Sequence, residues 1–326
     1  MRLIFAAALC LLTSITYANQ WHNVDDTTWL VSPPKVARYI QANQAIIIGK
    51  RCAAIINAHG NFVALEKMIN TAKRKLQVPV CYLLSPSAEA HQITGMAMLQ
   101  RAFPSAKWYA GETVADNLVL YQQALTQQLS LHEKSISLST KRLSLSKQDN
   151  PQLKAHIEIA KQRLADWQNL SLQAPSVLPP NTQHMLQLGE NKLILNTKRA
   201  FSTGDVFIFN PINGALLAGN SVDILPDVRH ERLSTWLNQL KNLQTDNRIN
   251  WLLPSYGKPY KKEALSQPIT FLLALTQGLD VTEAKQYFMT HYHNLDDDEQ
   301  ARLLNYYQLA QRRLSASTKN QNDVLH

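Results

Sequence analysis

Short continuous apolar runs alternate along this chain with segments whose apolar residues recur every three to four positions. The first pattern reads as a strand buried on both faces, the second as a half-buried helix. Residues 19–48 hold short strand-like runs that end in the apolar stretch 45–48. Residues 52–60 read as a buried strand ending in a turn. Residues 63–76 read as a helix with Leu65, Met68, Ile69, Ala72 and Leu76 on one face, and 78–84 as a second buried strand. A polar loop, 85–95, follows, and its Gly95 opens a short helix that reaches Phe103 and is stopped by Pro104. Residues 107–111 read as an edge strand.

Residues 116–167 are different in kind: polar, rich in Gln, Ser and Lys, with a period near 3.5. Leu118, Tyr121, Leu125, Leu129, Ile136 and Leu143 form one stripe; Leu153, Ile157, Ala160, Leu164 and Trp167 form another. Between them, Asn150 reads as a helix cap and Pro151 as a first-turn residue. The pattern predicts an antiparallel helical hairpin, either an insertion that caps the core or a protruding arm for a partner.

Residues 174–180 are a proline-rich connector, after which strands resume at 184–189, 192–196, 205–210 and 215–219, the last two joined by a turn at 211–215. Residues 231–243 read as a helix with Leu233, Trp236, Leu237 and Leu240 inward, and 251–254 as one more strand. Residues 262–314 are helical and 315–326 read as a frayed tail. Strands, helices, strands, helices is the order of a layered α/β sandwich, here one domain over 19–314.

Composition and charge change the picture in three places. Residues 1–18 have the make-up of a secretory signal: Arg2, an apolar core and small residues up to Ala18. That apolar run is too short to span a bilayer, so the expected mature chain is exported and carries no transmembrane segment. Its removal takes away one charged residue, Arg2, and the net charge falls from +9 to +8. Lys and Arg are scattered without an aromatic–basic stripe, which points to a solvated surface and away from nucleic acid. Two cysteines then remain, Cys52 and Cys81, each five residues before the end of its strand, at Asn57 and Pro86. Parallel neighbours in that register would bring the sulfurs together as a disulfide; two buried free thiols are the alternative.

Four motifs in order carry a family resemblance. Residues 49–60 (GKRCAAIINAHG), 78–96 (VPVCYLLSPSAEAHQITGM), 201–220 (FSTGDVFIFNPINGALLAGN) and 253–259 (LPSYGKP) resemble the framework of the metallo-β-lactamase superfamily. The nearest likeness is to its periplasmic branch of quinoprotein-associated zinc metallohydrolases. The resemblance implies an αββα sandwich with an inserted helical hairpin and a C-terminal helical extension. It also implies a zinc loop reading histidine-x-histidine-x-aspartate-histidine. Aligned on Gly95, those positions hold Ser87, Glu89, His91 and Gln92. Phe201 stands for the histidine before the threonine, Asn220 for the bridging aspartate and Tyr256 for the last histidine. The turn aspartate is Asn57, and His59 falls where glycine is usual. Scaffold positions such as Thr203, Gly204, Asp205, Gly219 and Gly257 remain.

The chemistry of these residues agrees. Zinc takes three or four converging nitrogen, thiolate or carboxylate ligands. Phe201 cannot ligate, neutral Gln92 and Asn220 are poor ligands, and only Glu89 and His91 are ordinary ones in the loop. No metal or other cofactor is expected; zinc would enter only through replacement ligands. Glu89 and His91 also make a candidate acid/base pair, with Ser85, Ser87 or Ser202 as candidate nucleophiles, none in a nucleophile-elbow setting. Asp205 reads as a buried anchor, Met96 and Met98 as core. Residues 290–298, with His291, His293 and three aspartates, read as a polar connector between helices.

The expected protein is therefore an exported, periplasmic or secreted, metal-site-degenerate member of this fold. Its role is a non-catalytic binding or accessory one, for a small ligand or a periplasmic protein partner, with a quinoprotein system as the context the resemblance offers. Two alternatives stand beside it: an active hydrolase with replacement ligands or a metal-free mechanism, and an assembly factor acting through the hairpin.

Overall fold

The computed structural model describes residues 19–146, 149–229 and 232–323; the expected signal segment, 1–18, lies outside them. Strands β1 (Gln20–Asp25), β2 (Thr28–Ser32), β3 (Gln44–Ile48) and β4 (Ala53–Ile56) pair antiparallel in succession. Helix α1 (Phe62–Lys75) crosses to β5 (Val80–Leu84), which runs parallel to β4. Helix α2 (Ala90–Ala102) leads to β6 (Lys107–Gly111), parallel again. Then come α3 (Glu112–Asp116), α4 (Leu118–Leu145), α5 (Pro151–Trp167) and β7 (Ser176–Leu178), which completes a seven-stranded sheet in sequence order. The second half supplies β8 (Gln183–Gln187), β9 (Lys192–Lys198), β10 (Asp205–Asn210), β11 (Ala215–Leu217), α6 (Leu233–Thr245), β12 (Trp251–Leu253) and β13 (Tyr260–Lys261). These strands form a six-stranded sheet ordered β13-β12-β11-β10-β9-β8. Helices α7 (Ser266–Gln277), α8 (Val281–His291) and α9 (Asp297–Asp323) follow.

The period-two alternation of strand side chains sorts the apolar runs into layers. In β3 and β4, Ala45, Ile47, Ala54 and Ile56 face a core shared with Val206 and Ile208 of β10. Their neighbours Ile46, Ala53 and Ile55 face α1 and α2 through Leu65, Met68, Met96 and Leu99. On the other sheet, Phe207 and Phe209 face Trp236, Phe271 and Tyr307 of the α6–α9 layer. Both faces of each central strand are dry, so the strands are apolar throughout and the molecule is an αββα sandwich.

The cysteines are bridged, with Cα atoms 5.7 Å apart. The register differs from the expected one by a residue: Ile56 pairs with Leu84, so Asn57 stands level with Ser85 and not with Pro86. An irregularity between Ala53 and Ala54 leaves Cys81 as an extra residue on β5. That bulge brings its sulfur back to Cys52.

Three further expectations are corrected. β6 is not an edge strand, because the proline-rich connector contributes β7 outside it; Trp108, Tyr109 and Ala110 are buried accordingly. Helix α2 begins at Ala90, not Gly95, so His91 and Gln92 lie in its first turn. Gly95 sits in mid-helix because a Cβ there would come within 2.5 Å of the His59 carbonyl oxygen. Helix α9 continues to Asp323, through much of the expected tail, since neither glycine nor proline interrupts it.

The hairpin docks as its stripes foretell. Asn150 caps α5 by accepting from Leu153 N at 2.9 Å, with Pro151 at the first turn. Tyr121, Leu125, Ile157, Leu164 and Trp167 are buried. Trp167 meets Phe62 of α1 edge-to-face at 5.5 Å. The Tyr121 hydroxyl donates to Ala88 O at 2.8 Å and the Gln128 amide to Gly60 O. The hairpin is therefore tied to the loops after β4 and β5.

Candidate functional site

Five chain segments meet at one end of the sandwich: the turn after β4, the loop after β5 with the first turn of α2, the loop before β10, the turn Gly219–Val222 after β11, and the loop after β12. Gly111 draws the third of these inward, since a Cβ there would lie 2.1 Å from Gly204 O.

Ser87, Gln92 and Asn220 come together, joined by Ser255, which the sequence reading did not single out. Ser87 Oγ lies 2.6 Å from Gln92 Oε1 and 3.0 Å from Asn220 Oδ1, and its one proton serves either. Gln92 Nε2 donates to Asn220 Oδ1 at 3.1 Å and reaches Ser255 Oγ at 3.5 Å. Asn57, at a left-handed φ of 69° that Asn tolerates, donates to Asn43 O at 3.1 Å and Ser255 Oγ at 3.3 Å. All five side chains are buried and neutral.

The charged residues form a second layer toward solvent. Arg229 donates to Glu89 at 2.7 Å and to Asp227 at 2.8 Å, and Asp227 also accepts from Arg313 at 2.8 Å. Burial raises the Glu89 carboxyl, with Arg229 opposing it. His91 lies between Glu89, 4.0 Å from its Nδ1, and the Tyr256 hydroxyl, in contact with its Nε2. Burial, and then the Arg229 charge, lower His91 to about 4. A neutral imidazole here accepts the Tyr256 O–H at Nε2 and turns Nδ1–H toward Glu89. Burial raises the Tyr256 phenol, which makes it a donor rather than a nucleophile.

Two sequence candidates stand apart. Phe201 belongs to the second-sheet core, edge-to-face with Trp236 at 5.7 Å. Asp205 is fully buried; burial raises its carboxyl, while bonds from Ser202 N at 2.8 Å and Ser221 Oγ at 2.7 Å oppose the shift. It ties the loop before β10 to the turn after β11. The three candidate nucleophiles are occupied as well. Ser85 Oγ accepts from Trp108 Nε1 at 2.9 Å, Ser87 belongs to the neutral cluster, and Ser202 donates to Asp205. Of residues 290–298, only 292–296 form the connector, since Thr290 and His291 end α8 and Asp297 and Asp298 open α9; Asp296 and Glu299 bond each other's backbone N–H at 3.0 Å to start that helix. Arg229, Asp227 and Ser255 carried no motif that could have marked them.

His59 is 2% exposed and its Nδ1 has no partner. Burial lowers it from 6.5 to about 4, and nearby His91 adds to the shift. The unfolded chain therefore binds a proton between these values that the folded chain refuses. The stability contributed is present above about pH 6.5 and lost as pH falls toward 4. We expect this single group to account for about 2–3 kcal/mol across that window. Half-exposed His91 adds less, because solvent screens it. Urea titrations at pH 7 and pH 4.5 should show a smaller pH-dependent loss in His59→Gln than in the parent protein; an equal loss would assign the effect elsewhere. The difference between the two proteins is the relevant quantity, because Glu89, Asp205 and Asp223 are raised by burial and titrate in the opposite sense.

Zinc does not fit this donor set. The amides and hydroxyls that converge are bonded to one another; of the carboxylates nearby, Glu89 is paired with Arg229 and Asp223 accepts from the backbone N–H of Tyr256 at 2.9 Å. Among the described residues no three His, Cys, Asp or Glu side chains gather as a metal site.

No family model and no curated protein matches this sequence. Solved structures do match its shape. A metallo-β-lactamase from Pontibacter korlensis is 15% identical, covers 78% of this chain and 99% of its own, and superposes with a TM-score of 0.51. A mono-zinc metallo-β-lactamase of Pseudomonas aeruginosa is 12% identical over 81% of this chain and 97% of its own, TM-score 0.52. One from Hirschia baltica is 16% identical over 77% and 96%, TM-score 0.50. The chain thus has the metallo-β-lactamase fold. At these identities the likeness is one of architecture, and what the site does rests on the side chains described above.

Proposed function

We propose that this protein is a non-catalytic binding or accessory protein built on a hydrolase fold, its metal centre replaced by a neutral hydrogen-bonded cluster. The cluster of Ser87, Gln92, Asn220, Ser255 and Asn57 carries the reading. Each amide or hydroxyl there satisfies another, which stabilises the loops without any ion. The bridged cysteines support the expectation that residues 1–18 direct export to an oxidising compartment. The motif resemblance alone suggests a periplasmic quinoprotein system as the setting. No described helix is long and apolar enough to cross a membrane.

The rival reading, an active hydrolase, needs either replacement ligands or a free nucleophile beside His91. Purified without a histidine tag and dialysed, the mature chain is expected to hold far less than one zinc per molecule. About one zinc per chain that survives dialysis and disappears in Glu89→Gln/His91→Ala would overturn the proposal and favour the hydrolase.

A further inference from the structure

Helix α4 carries a second apolar line, apart from the stripe that packs inward. Leu120, Leu131, Leu138 and Leu145 are 58%, 58%, 68% and 74% exposed. Seven- and eleven-residue spacings each drift by only about 20° around a helix, in opposite directions, so the four share one face. That face is roughly 130° from the stripe of Tyr121, Leu125 and Ile136 that packs inward. It extends about 37 Å along the helix. An isolated exposed leucine needs no explanation, whereas four in register mark a contact surface.

We propose that this face docks an acidic amphipathic helix of another protein. The chemistry between the leucines selects that partner. Lys134, Lys141 and Arg142 lie between or beside them, and among the described residues none is ion-paired. The only acid on α4 is Glu133. A second copy of this helix, parallel in register or antiparallel about Leu138, would set Lys134 against another Lys134 or against Arg142. A partner with a leucine-type residue every seventh position and Asp or Glu between them buries the line and neutralises the cations together. The surface extends the accessory-protein reading but does not depend on the cleft, so zinc content and hairpin binding can fail independently.

The test uses the full mature chain. The probe is a fluorescent 28-residue helical peptide with leucine every seventh position and glutamate flanking it; a control peptide has lysine in place of glutamate. Saturable binding of the acidic peptide is expected, weakened about tenfold or more by Leu131→Ser/Leu138→Ser. Lys134→Glu/Lys141→Glu/Arg142→Glu should reverse the preference and bind the lysine peptide. Both variants alter exposed residues and should melt with the parent protein. Three results would each overturn the proposal: no leucine-dependent peptide binding; a dimer in sedimentation that Leu138→Ser disperses, which assigns the face to a second copy; or leucine-dependent capture by phosphatidylglycerol vesicles with no peptide binding.

Discussion

Replacing both Cys52 and Cys81 with alanine is expected to lower stability by about 3–4 kcal/mol. The bridge joins residues 29 apart and closes a loop containing all of β4 and α1 and the start of β5. In the chain-entropy model a loop of that length restricts the unfolded chain by about this amount. Cys52 is 1% exposed, within the core between the two sheets, so the variant also loses some packing there. Urea unfolding of the double variant against the oxidised parent measures the difference. Thiol titration of the denatured, unreduced parent should find neither cysteine free. Equal stability, or two titratable thiols, would show that the bridge does not form in the purified protein.

The second large effect is expected in the hairpin, where the buried and the exposed leucines should behave in opposite ways. Leu164→Ala or Leu125→Ala should cost about 2–5 kcal/mol, the range for a buried leucine whose site cannot collapse. Leu125 is 3% and Leu164 8% exposed. Helices this polar are marginal in water, so their packing on each other and, through Trp167, on Phe62 of α1 must supply the stability. Leu138→Ala, on the outer line, should change stability by less than about 0.5 kcal/mol. Thermal melts of the three variants and limited proteolysis would settle the contrast. Protease-sensitive helices with no penalty at Leu125 or Leu164 would mean a mobile arm that orders on a partner.

Much of the architecture was legible because strands buried on both faces are apolar throughout and half-buried helices repeat every three to four residues. β7 escaped notice because three residues in a proline-rich segment leave no period. The start of α2 was placed too late because its cap residue, Glu89, makes no side-chain cap bond, and a polar first turn resembles a loop. The outer leucine line was overlooked because, in sequence, its members interleave with the inward stripe. Of the candidate site, Ser87, Gln92 and Asn220 proved neighbours, whereas Phe201 and Asp205 serve the core and the loop anchor.

The sequence by itself determined the layer order, the hairpin and the identity of the groups at the positions the family resemblance aligns with zinc ligands, and it marked the two cysteines as candidates for a bridge. These follow from local periodicity and from chemistry that a residue type carries wherever it sits. Only the tertiary structure decided which polar groups satisfy one another. Ser255 closes the neutral cluster, and Arg229 neutralises Glu89 from 140 residues away. It also decided that the His59 Nδ1 is sealed without a partner and that one face of α4 stays bare. Partnering and burial depend on which loops the two sheets bring to the same end, and that convergence of distant segments leaves no periodic trace along the chain.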